Sequence, residues 1–369
     1  MPRHRSLNLK KFIDSVPQSL LKEYFQKRFG ENKQLPLSRF DYETILEFID
    51  SNKNEEVIGI IQNDFKHIND LCEKVYNILI QAIDKYAILT PRESKREELA
   101  LNLFVHHPEA YDYAYDHYCF FNSTSNLSQH NIEALNFDLT TDKLERFKAE
   151  ISSYYEGLAK GRECIIRHYN EDDQTTIVIM HGSYKRSMVV WEGDEIETKF
   201  FRPANEDILR FDKSTSILSI KTRYANDRTK YIDAFTSILI EDKTQAERED
   251  RDATFTLIPL QDGTFSYEGN ENILSVVLVE AKVNYGGLTC PEITLKSKNI
   301  IETLEDGQLG IGLQKGHIIK AKFKFRLKVD GRERNISFVI QPPNFTDLNK
   351  KKYTDIIEAY LKENGIKLI

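Results

Sequence analysis

Between residues 320 and 329 the chain alternates strictly: Lys320, Lys322, Lys324, Arg326 and Lys328 are separated by Ala321, Phe323, Phe325, Leu327 and Val329. Successive side chains of a β-strand point to opposite faces, so this segment has one wholly basic face and one wholly apolar face. A helix would scatter the cations around its circumference, and a loop would have no use for five evenly spaced apolar residues. Asp330 and Gly331 follow directly. An Asp-Gly pair flanked by alternating apolar residues predicts a two-residue type I′ hairpin turn, because both turn residues need positive φ. The return strand then runs from Arg332 to Ile340. That register sets Ala321 against Ile340, Phe323 against Phe338 and Phe325 against Ile336 on the buried face. On the other face it sets Lys324 against Ser337, Arg326 against Asn335 and Lys328 against Glu333.

The chain as a whole is acidic, with a formal net charge of -7 over 369 residues. A concentrated basic strip in such a protein suggests a surface that meets an anion, and a phosphate backbone of DNA or RNA is the leading candidate. Contact of this kind follows phosphates and implies no base specificity. Two structural explanations compete with it. Lysines protect exposed sheet edges from aggregation, and the acids Glu192, Asp194, Glu195 and Glu197 could neutralise the strip from within.

The length allows two or three domains, with apolar and charged fractions ordinary for a soluble protein. Cys72, Cys119, Cys164 and Cys290 are widely spaced and form no metal-ligand pair, which fits reduced thiols in a cytoplasm. No apolar run has the length of a signal peptide or a membrane span, so no membrane partner is expected.

Residues 1–131 read as a helical domain. Apolar residues from Val57 to Tyr86 recur at three- and four-residue spacing, predicting one long amphipathic helix. Thr90 to Glu93 carries a capping-box pattern with Pro91 at the first helical position. The segment from His106 to Phe121 is rich in tyrosine and reads as a helix that docks a protein partner or packs at a domain interface; His117 with Asp112 and Asp116 is a poor metal set, because the histidine points off the face the two acids share. The polar run from Asn122 to Gln129 reads as a linker.

Residues 132–245 are expected to hold a connecting helix (Thr141 to Lys160) and a first α+β unit, with strands near 164–169, 175–181, 187–191, 195–201, 208–211 and 216–221. Trp191, on the third of these, is expected in a core or a hairpin. A helix from Lys230 to Asp242 closes the unit. Residues 246–369 form a second α+β unit whose final helix repeats Lys230, Tyr231, Asp233, Leu239 and Glu241 as Lys352, Tyr353, Asp355, Leu361 and Glu363. The expected fold class is therefore α+β: an all-helical N-terminal domain followed by two similar antiparallel-β units, each closed by a helix.

Ser275 to Lys282 forms an apolar strand ending in Glu280-Ala281-Lys282. This resembles the core motif of the PD-(D/E)xK nuclease superfamily. The resemblance implies Asp262 and Glu280 as ligands of a divalent metal such as magnesium, with Lys282 positioning the attacking water. It also implies strands at 254–260 and 264–267 and a helix from Pro291 to Glu305, although Asp262-Gly263 equally fits a hairpin turn. Arg162 and His168 have the spacing of the Arg-x-His motif in helical RNases of the HEPN type. Here, however, they follow the Gly161 helix stop and lie at the start of a strand, where that family has a helix. The glycines at 286–287 and 307–312 lack the lysine and hydroxyl of a phosphate loop. The leading expectation is a cytoplasmic, non-enzymatic subunit that binds or senses nucleic acid through the basic strip, of a kind found in multi-protein systems such as bacterial antiviral defence. A metal-dependent nuclease and a scaffold for an acidic protein are the alternatives.

Overall fold

The computed structural model describes residues 9–30, 39–51, 55–74, 76–90, 94–122, 126–134, 137–171, 173–192, 195–248, 251–286, 289, 291–306, 311–348 and 351–368. The chain forms two units, Met1–Ser123 and Thr124–Ile369. It is α+β, with an N-terminal helical region followed by a large antiparallel sheet and its helices.

The first unit contains α1 (Leu9–Asp14), α2 (Gln18–Phe29), α3 (Tyr42–Ser51), α4 (Glu55–Lys74), α5 (Tyr76–Lys85), α6 (Arg96–His106) and α7 (Pro108–Asn122). The long helix expected over 57–86 corresponds to α4 and α5, and the capping box at Pro91 to Glu93 lies outside the described residues. Phe12, Leu21, Tyr24, Phe25, Phe65 and Leu79 are buried in this unit. The tyrosines of α7 belong to the same interior: Tyr111, Tyr113 and Tyr118 are buried, and the ring of Tyr111 meets that of Phe104 edge-on. Their apolar bodies serve packing.

The second unit is built on one sheet. Its strands are β1 (Asn126–Asn131), β2 (Cys164–Asn170), β3 (Gln174–Gly182), β6 (Ala204–Asp212), β7 (Ile217–Thr222), β8 (Ile273–Asn284), β9 (Glu292–Lys296), β10 (His317–Val329), β11 (Arg332–Gln341) and β12 (Phe345–Thr346), in the order β2-β3-β6-β7-β1-β12-β11-β10-β8-β9. The stretch expected as a linker, where described, is β1, paired on one side with β7 and on the other with β12. The two α+β stretches thus share a single sheet. In each half the strands nearest the closing helix in sequence lie at the centre.

Helices cover this sheet on opposite faces in its two halves: Ile220, on the helix side of the first half, shares a face through Ser128 and Phe345 with Gln341, which points away from the helix side of the second. In the first half, α8 (Thr141–Gly157) and α9 (Ala225–Ala234), extended by a π-helical turn over Phe235–Ile240, bury Phe147, Ile151, Phe235 and Leu239 against Ile177, Leu209 and Ile220. In the second half, α11 (Ile258–Asp262), α12 (Ile300–Glu305) and α13 (Thr354–Glu363) bury Leu260, Ile300, Tyr360 and Leu361 against Leu278, Ala281, Phe323, Phe325 and Phe338. A four-residue helix, α10 (Thr244–Glu247), lies between the halves in sequence.

Two local expectations are corrected. Residues 258–262 form helix α11, and Gly263 at φ 73° is its left-handed cap, its N–H bonding the carbonyl of Pro259; proline near the helix start and glycine past its end explain the choice. Residues 292–296 form β9, because Ile293 and Leu295 alternate with Glu292, Thr294 and Lys296, a period of two. Strands β4 (Arg186–Glu192) and β5 (Glu195–Phe201) make a separate hairpin, on which Trp191 is 66% exposed.

Candidate nucleic-acid interface and a buried polar network

The β10–β11 hairpin has the register read from its sequence. Ala321 pairs with Ile340, Phe323 with Phe338, Phe325 with Ile336, Lys324 with Ser337, Arg326 with Asn335 and Lys328 with Glu333. Asp330 and Gly331 have φ of 52° and 69°, as a type I′ turn requires. Strand β10 is interior, flanked by β11 and β8, so protection of a sheet edge does not account for its lysines.

With Phe323, Phe325 and Leu327 in the core, the period of two turns Lys322, Lys324, Arg326 and Lys328 to the face opposite α11, α12 and α13. Lys324, Arg326 and Lys328 are exposed. Their neighbours across the strands are Val339, Ser337, Asn335 and Glu333 on β11 and Glu280, Val277 and Ser275 on β8.

Charge compensation is confined to one end of this face. Glu280 accepts from Lys320 at 3.1 Å and pairs with Lys296 at 3.3 Å; the Lys320 ammonium holds its carboxyl below the usual carboxylate range. Lys282 pairs with Glu292 on the neighbouring strand. Among the described residues, Lys322, Lys324, Arg326 and Lys328 have no ion-pair partner within 4.0 Å. The acids expected to neutralise them, Glu192, Glu195 and Glu197, lie on the β4–β5 hairpin, where Glu192 pairs with Lys199; Asp194 lies outside the described residues. Same-face neighbours on a strand are about 6.7 Å apart, which in a water-like dielectric means a repulsion of about 0.6 kcal/mol per neighbouring pair before salt screening.

The residues of the nuclease motif are not gathered into one acidic site. Glu280 and Lys282 share the open face of β8, one opposite Lys322 and the other opposite Lys320. Asp262 ends α11, whose Leu260 packs into the core on the helix-covered face. The sheet therefore stands between the two carboxyl groups, and both oxygens of Glu280 are already engaged by ammonium groups. Among the described residues no group of three or more His, Cys, Asp or Glu side chains is placed to hold a metal ion. Arg162 precedes β2 and His168 lies on it, so neither belongs to a helix. His117 turns its Nδ1 to the carbonyl of Tyr113 at 2.9 Å.

A second constellation had no counterpart in the motif reading. Asp207 on β6 accepts at Oδ2 from the Tyr231 hydroxyl of α9 at 2.7 Å, and the same oxygen lies 3.1 Å from Nε2 of His181 on β3 and 3.4 Å from the Tyr155 hydroxyl of α8. The two tyrosine hydroxyls are 2.7 Å apart, and the Tyr155 ring stacks on His181 at 3.7 Å. Burial, with the Asp207 charge nearby, pushes both phenols up. Beside this network Lys160 pairs with Asp227 at 3.5 Å and Tyr154 donates to the same carboxylate at 2.9 Å. All of these residues except Tyr154 are nearly or fully inaccessible to solvent. The only sequence signal was a histidine and an aspartate set beside apolar strand residues; a buried polar side chain needs a partner, but the sequence does not say which.

No protein-family model matches the chain, and no curated protein is similar to it in sequence.

Proposed function

We propose that this chain is a cytoplasmic, non-enzymatic nucleic-acid-binding subunit that holds a phosphate backbone on the open face of β10. One observation carries the reading: four cations stand in line on an interior strand, and none of them has an ion-pair partner within 4.0 Å among the described residues. A fold gains nothing from that repulsion, whereas each phosphate that meets such a cation releases counterions and contributes affinity. The neighbouring positions Ser275, Asn335 and Ser337 are small or polar and can donate further hydrogen bonds to phosphate oxygens. The face described offers no aromatic ring for base stacking, which favours a backbone-tracking, sequence-tolerant mode. A protein partner docked through the helical unit is part of the same reading. Among the described residues no helix is long and apolar enough to cross a membrane.

The test is a gel shift with duplex DNA and RNA. Lys322→Glu combined with Lys324→Glu should abolish the shift and leave the thermal unfolding profile in place, because Lys324 is exposed and Lys322 partly so. Undiminished affinity in that variant sinks the proposal. Capture of an acidic protein by the wild type, with no affinity for either nucleic acid, would replace it with the scaffold reading.

A further inference from the structure

The Asp207 network opens into a cavity of about 470 Å³, a volume ordinary for a small-molecule site. Its walls include His181, Asn205, Asp207, Arg223, Tyr224 and Asp227. Asp207 and Asp227 are only 4% and 2% exposed. We propose that this cavity binds a small, uncharged, polyhydroxylated molecule through a vicinal diol, as in a ribose or another sugar ring.

Three features of the site point to that chemistry. Oδ2 of Asp207 is crowded by His181, Tyr231 and Tyr155, whereas Oδ1 takes no hydrogen bond among the described residues. Oδ1 is not among the buried side-chain atoms left without a partner, so whatever fills the cavity can donate to it, and the three neighbours of Oδ2 hold the carboxylate in place. Arg223 and Asn205 line the same cavity and supply donors. A hydroxyl both donates and accepts, so a diol answers a carboxylate on one side and an amide or guanidinium on the other.

Competing ligands fit less well. Lys160 and Asp227 neutralise each other, and the Asp207 carboxylate lies in the same wall as Arg223, so a phosphate would meet a carboxylate beside the guanidinium that could hold it. An apolar ligand would leave those carboxylates desolvated without donors. An amine would be attracted to the acids but would leave Arg223 facing a like charge.

Isothermal titration of the full chain with adenosine and methyl β-D-ribofuranoside, each beside a counterpart lacking the 2′ and 3′ (or 2 and 3) hydroxyls, tests the inference, with putrescine as the cationic control. Binding of at least one diol probe is expected, with the dideoxy counterpart at least about tenfold weaker. Asp207→Asn should weaken binding by a similar factor. Arg223→Ala, at an exposed position whose loss spares the core, should do so with unfolding unchanged. Binding of neither diol probe at millimolar concentration, equal binding of a diol and its dideoxy form, unchanged diol affinity in Arg223→Ala, or binding of putrescine alone would each overturn it.

Discussion

Glu280 marks where internal charge compensation on the basic face stops. It pairs with Lys320 and Lys296, and among the described residues Lys322 and the cations beyond it have no ion-pair partner within 4.0 Å. Glu280→Gln should free two ammonium groups for a polyanion, so affinity for duplex DNA should rise and its salt dependence should steepen by about one to two units of slope, as fluorescence anisotropy would read. A catalytic metal ligand would give the opposite signature, a metal-dependent cleavage lost in the same variant. The ion pairs also link stability to pH. A carboxyl held below its ordinary range stabilises the fold above about pH 4.3, and that contribution drains away as pH falls through the unfolded value toward the depressed folded one. Wild type should therefore lose more stability than Glu280→Gln between about pH 5 and pH 3, measured as the shift in urea midpoint. The Glu280-Ala281-Lys282 triplet was visible in the sequence; that lysines would claim its carboxylate was not, because Lys296 and Lys320 reach it from two other strands.

At the scale of elements, the β10–β11 hairpin was legible because three local signals agree: strict alternation, matched apolar partners and a turn pair that accepts positive φ. The same dipeptide at Asp262-Gly263 closes a helix, since Ile258-Pro259-Leu260-Gln261 has no period-two flank to make a strand of it. Dipeptides read well only in the context of their periodicity. The hairpin's stability should respond accordingly. Gly331→Val forces a branched side chain into the left-handed region and should cost about 1–2 kcal/mol. Phe325→Ala, in a core contacted by Phe323, Phe338 and Tyr360, should cost about 3–5 kcal/mol. Both are checked by chemical denaturation. A similar loss for Lys324→Ala would mean that the cation is structural, and a loss within about 0.5 kcal/mol is expected. The sequence match between the two closing helices is looser in space than on paper: Tyr231 lies within α9, buried against Asp207, whereas Tyr353 precedes α13 at φ 61°.

Across the whole molecule, the least legible feature is the sheet's continuity. Strand β1 joins β12 through Ser128 and Phe345, a pairing between distant parts of the chain that no local pattern announces. Its polar sequence resembled a linker because Asn126, Ser128, Gln129 and Asn131 give it few apolar side chains, yet ladder hydrogen bonds to β7 need only backbone groups. The Asp207 network was hidden for the same reason, its members drawn from α8, β3, β6 and α9. What could be read from the start, the cationic face of β10, is also where the functional account stands or falls. The most direct measurement is the affinity of the full chain for a random-sequence DNA duplex across a salt series. With Lys322, Lys324, Arg326 and Lys328 on phosphates, log K should fall against log salt with a slope of about -3 to -4, and Lys322→Glu with Lys324→Glu should remove most of the affinity. A flat salt dependence, or an unchanged slope in the double variant, would contradict the account.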